Sequence, residues 1–184
     1  EDGIYMKDTN NIWVNITYDT QDLTNYRTFK LRKASEGIYA CAYDGVFFSD
    51  KLGASGSWIN FKTGFKDTYI HTLLITKDKI LAGTDLGVYM SIDKGMHWTE
   101  ANKGLITESR KYILVSELLS FNDSLFAGTR QGIFISSDNG ISWNEANEGL
   151  PENNDIRELF ATDKSIFAAL ENNIYLSDNN DRLG

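Results

Sequence analysis

Cysteine occurs once, as Cys41, which excludes an intramolecular disulfide and any multi-cysteine metal site. Histidine occurs twice. His71 and His97 stand 26 residues apart, and a metal centre needs three or four convergent ligands. No metal and no cofactor is therefore expected. No stretch approaches the ~20 consecutive apolar residues of a membrane-spanning helix. Basic residues are outnumbered, 18 Lys and Arg against 26 Asp and Glu, for a formal net charge of −8. That balance argues against a stripe of cations neutralising phosphates, so no nucleic-acid partner is expected. Proline is nearly missing: Pro151 is alone, where average usage would supply about nine. An initiator methionine and a signal-like n-region and h-region are also missing, so the sequence reads as a processed chain or an excised piece.

What is present is enough for a core. The 184 residues are 41% apolar and 12% aromatic, the size of one domain or one repeat array at ~150 residues per domain. Repeats dominate the sequence. LAGTDLGVYMSIDKGMHWTEANKGL at 81–105 recurs as FAGTRQGIFISSDNGISWNEANEGL at 126–150, and more loosely at 39–65. Partial copies open the chain at 1–16 and close it at 167–180. Anchored on Gly3, Gly45, Gly87, Gly132 and Asn173, the copies step by 42, 42, 45 and 41 residues. All four tryptophans (Trp13, Trp58, Trp98 and Trp143) fall at one repeat position, which predicts a single structural role for them.

Each unit is a series of short apolar runs bounded by Asp, Asn, Gly and Lys, the pattern of strands joined by tight turns. Four strands per ~40–45 residues is the blade of a β-propeller. The predicted fold is all-β, with four-stranded antiparallel blades whose strands are labelled a to d from the inside out. The run 112–121 has helix-like stretches, but the repeat alignment assigns it to strand a. The predicted units are 1–27 (partial), 28–69, 70–114, 115–155 and 156–184 (partial), most simply a section of a larger ring.

The loops between strands c and d carry the most specific motif. They read Ser91-x-Asp93-x-Gly95-x-His97-Trp98 and Ser136-x-Asp138-x-Gly140-x-Ser142-Trp143. This resembles the Asp box, S-x-D-x-G-x-[ST]-W, of the bacterial-neuraminidase-repeat (BNR) propellers. His97 replaces the usual hydroxyl in one copy. At 49–58 the loop is two residues longer and lacks the Asp-x-Gly spacing. At 7–13 it is one residue shorter, with Asp8 but no glycine, and the last copy, ending in Asn179-Asn180, stops before any Trp. Glycine suits a turn position with positive φ, and Asp and Ser side chains suit bonds to the loop's own backbone. The resemblance implies that these boxes are structural and lie away from any active site. Propellers of this kind include sialidases, xyloglucan-type glycosidases, sortilin-like receptors and photosystem II assembly factors, and fold does not choose among them. A sialidase needs an arginine triad, and Arg130 and Arg157 have no third arginine at an equivalent repeat position.

The b–c turns and d–a connections of a propeller gather at one mouth of its channel. Glu1, Tyr43, Asp85, Arg130 and Glu171 occupy the same b–c turn position and differ in every copy, as the members of a composite binding rim would. The d–a connections at 19–27 (Asp19, Asp22, Tyr26, Arg27), 64–70 (Lys66, Asp67, Tyr69) and 103–113 adjoin this rim, and Arg110 and Tyr112 are predicted to reach it. Lys30, Thr72, Glu117 and Glu158 align on strand a beside the channel. Glu117 and Glu158 could form a carboxylate pair of the kind glycosidases use. The expected function is a non-enzymatic binding module for a glycan or a protein surface. The alternative is a glycoside hydrolase with catalytic residues partly outside this chain. The resemblance implies an extracellular, periplasmic or cell-surface location.

Overall fold

The computed structural model describes residues 4–7, 9–16, 28–43, 45–54, 56–66, 69–152 and 154–178. Glu1, Gly3, Asp8, Asp67, Asn179, Asn180 and the 19–27 connection lie outside them.

Every regular element among the described residues is a strand. A two-stranded sheet is formed by β1 (Tyr5–Lys7) and β2 (Trp13–Asn15). Three four-stranded antiparallel sheets follow. They comprise β3 (Thr28–Lys33) to β6 (Ile59–Phe61), β7 (Ile70–Ile75) to β10 (Thr99–Glu100), and β11 (Val115–Phe121) to β14 (Asn144–Glu145). Their middle strands are β4 (Ile38–Ala42) and β5 (Gly45–Ser49), β8 (Ile80–Thr84) and β9 (Gly87–Ser91), and β12 (Ser124–Thr129) and β13 (Gly132–Ser136). A three-stranded sheet closes the series: β15 (Glu158–Ala161), β16 (Ser165–Ala169) and β17 (Ile174–Asp178). Within each sheet, sequence order is spatial order. The fold is all-β, and its sheets are β-propeller blades.

Strands a (β3, β7, β11, β15) stand side by side and line the channel. The opposed position on strand b must be small. Cys41, Gly83, Gly128 and Ala169 pair with Lys30, Thr72, Glu117 and Glu158. A Cβ on Gly83 would come within 2.8 Å of Val115, and one on Gly128 within 2.7 Å of Ile156, both in the next blade. Cys41 fills its slot fully buried, and burial pushes its thiol pKa up to about 12, so it packs as an inert apolar group.

Three tryptophans share one environment: Trp58, Trp98 and Trp143 are buried in successive cores. Each blade also grips the next through a glycine. Trp98 N–H donates to Thr63 O and Trp143 N–H to Lys103 O, with Gly64 and Gly104 pressed against the tryptophan carbonyls. Trp13 departs from the predicted single role. It is 64% exposed, because among the described residues no sheet covers the outer side of β1 and β2.

Candidate functional site

The a–b–c–d order places the b–c turns and d–a connections at one end of each blade, and the a–b turns and c–d loops at the other. At the first end, the turn tips are set by a repeated frame. Thr84 Oγ1 donates to Gly87 O (3.0 Å) and accepts from Leu86 N–H (2.9 Å). Thr129 does the same with Gly132 O (2.8 Å) and Gln131 N–H (3.0 Å). Asn102 and Asn147 complete the frame by accepting from Val88 N–H (2.8 Å) and Ile133 N–H (2.7 Å). Their amides sit where Gly87 and Gly132 would carry a Cβ, which is why glycine recurs there. The repeated Ala-Asn pair at 101–102 and 146–147 was the legible signal for this clamp. The frame holds Asp85 and Arg130 outward as interchangeable tips.

Tyr43 and Asp85, from adjacent blades, are joined by Tyr69 of the intervening connection and His71 of β7. The Tyr43 ring meets Tyr69 edge-on, centroids 4.3 Å apart. Tyr69 stacks on His71 at 6.3 Å, and His71 Nε2 lies 2.8 Å from Asp85 Oδ1. His71 stands at a register shift that recurs in three blades, between residues 28 and 30, 70 and 72, and 115 and 117. Such a bulge re-aims a side chain. Here it turns the imidazole toward the Asp85 turn. The Leu86–Ile113 bridge and the bond from Arg130 N–H to Leu114 O draw the next connection alongside, with Tyr112 70% exposed. Arg130 and Glu171 are exposed at their turns.

Arg110 is engaged within the protein. Its guanidinium donates to Leu105 O (2.7 Å), Gly104 O (3.3 Å) and Glu145 Oε1 (2.8 Å), and lies over the Phe134 ring at 4.7 Å. It ties the 103–113 connection to the blade that follows. Glu117 and Glu158 border one cavity but differ in environment. Glu117 is buried and accepts from Lys30 Nζ, Arg32 Nη2 (3.1 Å) and Thr72 Oγ1 (2.9 Å), whereas Glu158 is exposed.

At the opposite end, the c–d loops close on themselves. Ser136 Oγ accepts from Gly140 N–H and donates to Asp138, which also accepts from the Ile141 and Ser142 amides and the Ser142 hydroxyl. Ser91, Asp93 and Gly95 repeat this, with the His97 imidazole (2.6 Å) in place of the hydroxyl. The loop at 49–58 keeps more of the arrangement than its spacing suggested. Ser49 Oγ accepts from Gly53 N–H at 2.8 Å, as in the other two loops, and contacts Ser57 Oγ at 2.6 Å. The carboxylate is displaced, but the serine–glycine bond and the positive φ of Gly53 remain. These loops leave Asp93 and Asp138 committed to internal bonds.

Those bonds favour the ionised carboxylates. The His97 amide, then its ring and the Ser91 hydroxyl, lower the Asp93 pKa to about 2, and the Ser142 hydroxyl and amide hold Asp138 lower still. A depressed folded-state pKa gives stability that is present above the unfolded value near ~4 and is lost as pH falls through the folded value. Chemical denaturation of wild type should therefore show a loss of stability between about pH 4 and about pH 2. The Asp93→Asn, Asp138→Asn double variant should be less stable at pH 7 and flatter across that window. Parallel curves for the two proteins would contradict this assignment.

No protein-family profile matches the chain, and no curated protein matches it. Solved structures do. An extracellular domain from B. thetaiotaomicron, ascribed to a one-component system, is similar with a TM-score of 0.76 and 16% identity, over 95% of this chain and 25% of that one. The computationally designed Ika4 protein is similar with a TM-score of 0.61 and 11% identity, over 85% of this chain and 94% of that one. An ancestral GH74 enzyme is similar with a TM-score of 0.61 and 14% identity, over 82% and 22%. The chain spans about a quarter of the length of the B. thetaiotaomicron domain. At these identities the likeness is one of fold.

Proposed function

We propose that this chain is an Asp-box propeller of the BNR type that acts as a non-enzymatic binding module, with its ligand at the end carrying the b–c turns. The observation that carries the reading is the contiguous series Tyr43, Tyr69, His71 and Asp85. Half-exposed tyrosines bounded by polar and charged tips suit a glycan. Sugar C–H faces pack on the rings while hydroxyls meet Asp85 and Arg130. A hydrolase reading gains no support from the channel, where the Glu117 carboxylate is already held by Lys30, Arg32 and Thr72. An extracellular, periplasmic or cell-surface location fits a glycan-binding role, and among the described residues no helix is long and apolar enough to cross a membrane.

A glycan array screened with wild type, Tyr43→Ala and Arg130→Glu tests this. Wild type should bind a restricted set of glycans, and Arg130→Glu should weaken binding by about 1–3 kcal/mol through loss of a charge-assisted bond. Tyr43→Ala should weaken it comparably, and neither variant should change the melting temperature appreciably. Glycan binding unchanged in both variants would overturn the assignment of this face. Release of reducing sugar from a bound glycan would overturn the non-enzymatic reading.

A further inference from the structure

The joint that clasps successive blades is left half-made at each end of the row. Inside the row, Trp98 N–H donates to Thr63 O and Trp143 N–H to Lys103 O, and the following glycines, Gly64 and Gly104, press on the tryptophan carbonyls. Glu148 and Gly149 hold the same repeat position after β14, but a Cβ on Gly149 would meet nothing within 4 Å. This socket has no tryptophan. Trp13 is the converse, a tryptophan without a socket, 64% exposed on β2. In its sheet Ile16 N–H donates to Ile4 O. Bonded pairs alternate along an antiparallel ladder, so Met6 and Val14 form the next one and the Trp13 amide is left pointing away from β1. The neighbouring strands are also matched. β17 pairs with β16 along one edge, and among the described residues no strand d covers the other. Residues 4–6 read Ile-Tyr-Met and residues 174–176 read Ile-Tyr-Leu at the same repeat positions, two versions of one strand c. Ile4 is 6% exposed and packs with Phe47 and Trp58, whereas Ile174 is 73% exposed. Leu176 and Val14 are exposed as well.

We propose that β2 of a second copy of this chain completes the last blade as its strand d, so that two copies close head to tail into one ring. The incoming Trp13 enters the socket of Glu148 and Gly149. β17 replaces the incoming copy's β1 against β2, in the register of the complete blades, which sets Leu176 opposite Val14. Ile174 then takes the place of Ile4 against that copy's Trp58. The chain's own β2 belongs to a sheet packed beside the β3 blade, at the opposite end of the row from β15. Each copy brings four strands a, so the ring has eight blades, within the ~4–8 of known propellers. Two identical head-to-tail junctions close it and leave no free end. Joining gives up the three pairs between β1 and β2 and the Lys7 ammonium over the Trp13 ring. That loss offsets part of the gain, so the expected dissociation constant is about 10–100 µM, with the single chain predominant below it.

Sedimentation equilibrium over about 5–500 µM, a range that brackets this constant, tests the proposal. The mass should rise from one chain toward two and stop there. Gly149→Ala should fold yet stay a single chain throughout, because its Cβ would meet the incoming Trp13 carbonyl as one on Gly104 would meet that of Trp143. Ile174→Asp should weaken association by about tenfold or more, whereas Arg130→Glu, at the rim, should leave it unchanged. Register is read by mixing Val14→Cys chains with Leu176→Cys chains under oxidation. Strands paired in this way bring the two cysteines within disulfide reach, and neither chain can form the bond within itself. Cys41 is buried and takes no part. A single-chain mass at every concentration, a mass that passes two chains, association indifferent to Gly149→Ala, or no crosslink in the mixture would overturn the proposal. So would a disulfide formed only within a chain carrying both cysteines, since β17 would then have met its own chain's β2.

Discussion

Trp143→Ala is expected to cost about 3–5 kcal/mol of stability, the range for removing a large buried aromatic. The ring is 2% exposed and packs with Leu81, Leu105, Leu125 and Phe134, so it joins two neighbouring blades. Its indole N–H donates to Ala101 O at 3.0 Å, so truncation also leaves a buried carbonyl without that donor. Trp13→Ala supplies the comparison. It occupies the same repeat position but is largely exposed, and its loss should change stability by no more than about 0.5 kcal/mol. Urea denaturation followed by circular dichroism reads both. Equal costs would mean that repeat position, rather than the covering blade, decides what a tryptophan contributes.

Gly104→Ala should be at least as damaging. Gly104 has φ +87°, and an added Cβ would lie 2.0 Å from the Trp143 carbonyl oxygen, a backbone atom that cannot turn aside. Gly149 occupies the equivalent repeat position with φ +80°, yet an added Cβ there meets nothing within 4 Å. Gly149→Ala therefore carries the left-handed backbone cost alone, about 1–2 kcal/mol. Gly104→Ala adds the collision, and the sum should exceed about 4 kcal/mol, a size seen with overpacking and strain. The difference between the variants, from the same urea curves, measures how closely successive blades are clasped. Similar values for the two would contradict the contact between Gly104 and Trp143.

The blade was legible in the sequence because its constraints are local and repeat. A positive-φ glycine opens each of β5, β9 and β13, and a serine four residues before another glycine closes each c–d loop. Even the loop at 49–58 obeys the second rule, but its displaced aspartate hid it, since the hydroxyl of Ser57 contacts Ser49 instead. What the repeat could not disclose is what lies between units. Arg110 looked like a rim cation because its connection is long, yet that length lets it reach Glu145 and Phe134 in the next blade. Glu117 aligned with Glu158, but its partners Lys30 and Arg32 come from β3, with β7 lying between. His71 resembled an isolated histidine until the bulge in strand a turned it toward Asp85. Alignment assigned each of these a height in the blade. Contacts with a neighbouring strand a decided the role of Glu117, and the length of its connection that of Arg110, whereas His71 was turned by a bulge within its own blade.

The central claim is that ligand meets the end bearing the b–c turns while the c–d loops hold the fold. Amide hydrogen exchange, compared for the chain alone and saturated with its strongest-binding array glycan, tests it most directly. Slowed exchange should concentrate in residues 69–72, 84–87 and 129–132, with 91–98 and 136–143 unchanged. Protection confined to the c–d loops at 91–98 and 136–143, with the b–c turns unaffected, would contradict the account.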